Sequence, residues 1–140
     1  MSLFTFRPWG MFEWILGRIK SRKWSYLGCY SVEERCLAAF EFLSGKGLIA
    51  NYSFIKVCDP KSHFSEEVDR AFDRITELFI NLGGDPDNVR EEELFLKDFK
   101  LNESINAFID ECAGNIILDI SSFPKKFFSP MLSCCLDRPK

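Results

Sequence analysis

The chain has 140 residues, 46% of them hydrophobic and 28% charged, which is enough for one core and too little for two domains of ordinary size. Its 21 acidic and 18 basic residues leave a net charge of −3, which excludes a strongly basic, whole-surface nucleic-acid binder. Six cysteines without a C-x-x-C spacing and a single histidine exclude the usual zinc arrangements, so the expected metal is none.

Residues 1–23 form the first segment. Phe12, Ile15, Leu16 and Ile19 recur at helical spacing, and five basic residues against Glu13 give this stretch a charge of +4. Basic residues follow the apolar run and Glu13 interrupts it, so it is not a signal peptide, and no run is long enough to span a bilayer. An amphipathic helix packed on protein is expected; the alternative is a helix lying on an anionic membrane surface.

A single domain is expected over residues 24–140. Residues 24–30 read as a first strand and 31–42 as a first helix, with Val32, Cys36, Ala39, Phe40 and Leu43 on its apolar face, Glu33 and Glu34 in its first turn, and Gly45 and Gly47 ending it. No Gly-rich dinucleotide fingerprint and no P-loop occur, which argues against a nicotinamide enzyme or a P-loop NTPase, and no cofactor is expected. Residues 48–57 supply a second strand that closes on Cys58-Asp59-Pro60, followed by a loop carrying Lys61 and His63.

The second helix is the clearest element. Ser65 can cap it, Glu66 and Glu67 fill its first turn, Val68, Ala71, Phe72, Ile75, Leu78, Phe79 and Leu82 form one stripe, and Gly83-Gly84 stops it. After a loop at residues 85–88, residues 89–99 favour a strand around Leu94 to Leu96, and Asn102 is expected to cap a third helix with a stripe from Leu101 to Cys112. Cys29, Cys36, Cys58 and Cys112 fall inside these elements as small buried hydrophobes, which suits a reducing cytoplasm. The many phenylalanines read as core in the same way.

The stretch that organises the chain is Asn115-Ile-Ile-Leu-Asp-Ile-Ser-Ser-Phe-Pro-Lys-Lys. Residues 116–120 are a continuous apolar run of the kind a strand buried on both faces requires, and Ser121 or Ser122 can cap the helix that Pro124 opens. Pro130 is expected to interrupt that helix. Alternation of strand and helix implies parallel strands joined by right-handed crossovers: a Rossmann-like three-layer α/β sandwich of three or four strands, truncated, with residues 116–120 central.

In such a sheet ligands sit beyond the carboxyl ends of the strands. That places Ser31, Glu34 and Arg35 after the first strand, Asp59 after the second, and Asp119, Ser121, Ser122 and Lys125 after the last. Two helix openings and the basic side chains make an anion, a phosphate above all, the natural guest. The pattern Asp119-Ile120-Ser121 with Lys125 downstream also resembles the second motif of CRISPR-associated Rossmann-fold (CARF) sensor domains, with Phe123-Pro124 where that motif carries glycines. The resemblance implies a cyclic oligonucleotide ligand and a regulatory role.

The expected function is therefore a nucleotide- or phosphate-binding sensor, with a second copy or an effector protein as its further partner. Two alternatives use other residues. Glu34, Asp59 and Asp119 can converge as acid–base carboxylates of a small hydrolase or phosphotransferase, and the aromatic amino-terminal helix can serve protein interaction.

Overall fold

The structure is a computed structural model, and it describes residues 23–58, 65–93, 98–112 and 115–136. Four strands, β1 (Trp24–Tyr30), β2 (Ile49–Cys58), β3 (Val89–Glu93) and β4 (Ile116–Leu118), form one sheet in the order β3-β2-β1-β4. Every pairing is parallel. Among the described residues four α-helices follow the strands in turn: α1 (Ala38–Gly45), α2 (Ser65–Asn81), α3 (Asp98–Glu111) and α4 (Lys125–Leu136). The expected α/β sandwich is therefore observed, its sheet having four strands, all parallel, where three or four were expected.

Strand β1 is the axis of the sheet, and all of Ser25 to Tyr30 is buried. Its alternation divides the core in two. Tyr26 and Tyr30 point with Phe54 toward α1 and α2, where Phe40, Leu43, Ile75 and Phe79 complete one cluster. Leu27 and Cys29 point with Ile55 toward α3 and α4, where Ile105, Phe108, Ile109, Phe127 and Met131 complete the other. Right-handed crossovers require this arrangement, because β1 to β3 progress one way along the sheet and β4 returns to the far side of β1. The reversal lies between β1 and β4, which is the topological switch point of the fold.

The apolar run at the end of the chain takes a different position from the expected one. Strand β4 stops at Leu118, pairs with β1 alone, and is an edge among the described strands rather than the centre. Its composition has another cause. Ile117 packs on one core cluster while Ile116 and Leu118 pack on the other, so both faces are covered although one side is open.

Three helices also depart from expectation. The first begins as a 3-10 turn at Glu34–Leu37, not as an α-helix at Ser31, and Glu33 at its cap makes no side-chain capping bond. The Cys36 thiol reaches back past that cap, accepting from the Ser31 N–H and donating to the Ser31 carbonyl, both at 3.5 Å. Helix α3 starts at Asp98, which puts Asn102 inside it rather than at its cap.

Helix α4 runs through Pro130 to Leu136. The proline lacks the N–H that the Lys126 carbonyl would accept, but Phe127 and Met131, both fully buried, hold the two sides of the gap on the core. The β3 strand lies at Val89–Glu93, upstream of the expected centre. Leu94 to Leu96, the amphipathic segment at residues 1–22, and Asp59, Lys61 and His63 lie outside the described residues.

Gly28 shapes the carboxyl half of β1. A Cβ there would stand 2.8 Å from Tyr26 Cε1 and 2.9 Å from its phenol oxygen, so glycine lets the Tyr26 ring lie along β1 toward the strand end. Tilted contacts with Phe40 and Phe54, with centroids 5.8 and 5.5 Å away, fix the ring there.

Candidate functional site

A cleft of about 520 Å³ opens at the carboxyl ends of β1 and β2, within the range of small-molecule sites. Cys29 to Val32 come from β1 and its exit, and Lys56 to Cys58 from the end of β2. The opening turns of α2 contribute Ser65, Val68, Asp69 and Phe72, and the β4–α4 connection contributes Ser122 and Pro124. The two ends of the switch point thus meet the start of the longest helix.

One wall is layered. The Tyr30 and Phe72 rings lie nearly parallel, 5° apart with centroids at 6.0 Å, and the Lys56 ammonium sits 4.5 Å over the Phe72 centroid. The Tyr30 hydroxyl donates to Thr76 Oγ1 at 2.9 Å, and the Thr76 hydroxyl donates to the Phe72 carbonyl at 2.8 Å, so the aromatic pair is pinned to α2. Strand register places Lys56 directly opposite both Tyr30 and Glu91. Its Nζ donates to Glu91 Oε1 at 2.7 Å. Burial works to lower the Lys56 pKa, but the hydrogen bond and charge of Glu91 outweigh it and hold the ammonium above its ordinary range.

The thiols in this wall are poor nucleophiles. Burial pushes Cys29 up to about 12, with the nearby Cys36 and Asp119 adding to it, and burial also raises Cys58. Cysteine-based nucleophilic chemistry is disfavoured by that environment.

The residues singled out from the sequence divide. Ser31 and Ser122 line the cleft. The Ser31 hydroxyl also accepts from the Glu33 N–H at 3.4 Å, while the Ser122 hydroxyl oxygen is sealed from solvent without a hydrogen-bond partner. Glu34 and Arg35 do not join them, because Glu34 pairs with Arg74 of α2 and Arg35 pairs with its own neighbour Glu33. Ser121 and Lys125 are exposed and outside the cleft wall.

Asp119 has a different task. Its Oδ2 accepts from the Tyr26 hydroxyl at 2.8 Å and its Oδ1 accepts from the Ser121 N–H at 2.9 Å, closing the turn that leaves β4. Its own N–H donates to the Leu27 carbonyl, extending the β1–β4 ladder past Leu118. Burial and the Asp119 carboxylate together drive the Tyr26 phenol far above its ordinary value, so it stays protonated and donating. Asp119 therefore ties the last strand to the first through a buried phenol.

Sequence reasoning passed over Lys56, Asp69 and Phe72. Lys56 carried a signal, since it is a lone charge inside the otherwise apolar end of β2. Among the described residues no group of His, Cys, Asp or Glu side chains is placed to hold a metal ion, and no helix is long and apolar enough to cross a membrane. Comparison with models of known protein families and with curated proteins gave no match.

Proposed function

We propose that this chain is a small-molecule-binding regulatory domain whose strand-end cleft takes a nucleotide or another phosphate-containing ligand. The observation that carries the reading is the meeting of Ser31, Ser65, Ser122 and the Lys56 ammonium in one cleft beyond the parallel strand ends, beside the opening of α2. Hydroxyls and peptide N–H groups can donate to phosphate oxygens there, and the layered wall of Tyr30 and Phe72 suits a flat ring. Glu66 and Glu67 of the first turn are exposed and lie outside the cleft wall.

A regulatory role is favoured over catalysis because two of the three carboxylates named for acid–base work are committed elsewhere, Glu34 to Arg74 and Asp119 to Tyr26. Six unbridged cysteines support a cytoplasmic setting. In such a domain an effector protein or a second copy reads the occupied state.

The test is a thermal-shift panel of mono-, di- and cyclic nucleotides with and without Mg²⁺, followed by analysis for products. A ligand at 100 times its Kd stabilises by about 2.7 kcal/mol, which for a chain of this size raises the melting temperature by roughly 8 °C. Stabilisation without turnover is expected. Turnover would move the assignment to a hydrolase or phosphotransferase, and silence across the panel would remove the nucleotide reading.

A further inference from the structure

The cleft has a charge balance that bears on which anion it accepts, and this inference rests on the ligand-binding reading above. Lys56 Nζ is 2.7 Å from Glu91 Oε1, with the Lys56 side chain only 24% exposed. Asp69 lines the same cleft from the second turn of α2. One ammonium thus stands among two carboxylates, while two arginines of the described residues are paired elsewhere. Arg35 is held by Glu33, and Arg74 by Glu34 on the outer side of α2.

A guest with one negative charge can share Lys56 with Glu91 and place its remaining oxygens on hydroxyls. The Ser31 hydroxyl, which lines the cleft, accepts from the Glu33 N–H and can still donate, so it is available for this. A second charge on the guest brings repulsion from Asp69 and Glu91 and meets no second cation among the described residues of the wall. We propose that the cleft selects singly charged oxyanions, such as a phosphodiester or a carboxylate, over doubly charged phosphomonoesters of the same shape. Lys56 is then the group that demands an anion, and Asp69 and Glu91 are the groups that cap its charge.

Phenyl sulfate and phenyl phosphate isolate the effect, because they share shape and differ by about one charge near pH 7.5. Benzyl alcohol is the neutral control. Each is titrated into ¹⁵N-labelled protein, and affinity is read from the amide shifts of Tyr30, Ser31 and Ser122. The sulfate is expected to bind at least about threefold more tightly than the phosphate. Glu91→Gln, a change at an exposed side chain, is expected to narrow or reverse that ratio, and Lys56→Met to bring the sulfate down to the alcohol.

Phosphate binding as tightly as sulfate, or a ratio unmoved by Glu91→Gln, overturns the charge selection and leaves the ligand site standing. Failure of both anions to move the cleft amides at 20-fold excess over millimolar protein overturns the site reading together with it. Separate probes of sulfate and carboxylate type, the latter benzoate, then distinguish which monoanion the cleft prefers.

Discussion

Removing the hydrogen bond between Tyr26 and Asp119 should cost different amounts from its two ends. Tyr26 is fully buried, whereas Asp119 is only partly so. In Tyr26→Phe the carboxylate loses the 2.8 Å bond but can be hydrated, and it keeps the Ser121 N–H, so the expected loss is about 1–2 kcal/mol. In Asp119→Ala both bonds go, and the phenol remains buried among Phe40 and Phe54 without an acceptor, so the expected loss is about 2–4 kcal/mol. The double variant removes the phenol that Asp119→Ala strands. Its cost should therefore fall short of the sum by about 1–2 kcal/mol. Urea unfolding at pH 7.5 reads these values, since a slope of about 2 kcal/mol/M turns 1.5 kcal/mol into a midpoint shift of about 0.7 M. Coupling below about 0.3 kcal/mol, or a Tyr26→Phe loss at least as large as that of Asp119→Ala, would refute the assignment of Asp119 to this bond.

The same packing sets three further outcomes. Burial raises the thiols of Cys29 and Cys36 and the phenols of Tyr26 and Tyr30, so their folded values lie above their unfolded ones. The stability they contribute is complete below about pH 8.5 for the thiols and about pH 10 for the phenols, and it is lost as pH rises from there toward the folded values. Unfolding free energy, measured under reducing conditions, should fall above about pH 9 by up to about 1.4 kcal/mol per pH unit for each titrating group, and a flat profile to pH 10.5 would contradict this. Gly28→Ala should cost about 1–3 kcal/mol and weaken the coupling between Tyr26 and Asp119, because the new methyl occupies the space of the phenol ring. Phe79→Ala should cost about 3–5 kcal/mol by equilibrium unfolding, since this fully buried ring packs edge-on to Tyr30, Tyr52 and Phe54.

How much of the fold was legible in the sequence depends on the range of the interaction. Helix α2 was readable because its stripe and its stop, Gly83 at φ 81°, are local. Strands β1 and β2 were readable for the same reason. The edge position of β4 was not, because covering by helices on both faces demands the same apolar run at an edge as at a centre. The start of α1 was missed because the Cys36 thiol, five residues on, binds the N–H and carbonyl of Ser31, which stays outside the helix.

The site divides along the same line. That Ser31 and Ser122 lie at strand ends comes from strand–helix alternation alone. The diversion of Asp119 to Tyr26 depends on a partner 93 residues away and on Gly28 leaving room for the ring. The pairing of Lys56 with Glu91 depends on register with β3, which no local pattern encodes.

The central claim is that the strand-end cleft holds an anionic ligand, and an NMR titration with adenosine 3′,5′-cyclic monophosphate tests it most directly. Saturable shifts are expected at the amides of Tyr30, Ser31, Val57, Ser65 and Ser122, which surround the cleft, and Lys56→Met should abolish them at the same concentration. Shifts confined to Arg35 or to Lys125 and Lys126, outside the cleft wall, or no saturable shift at all, would contradict the claim.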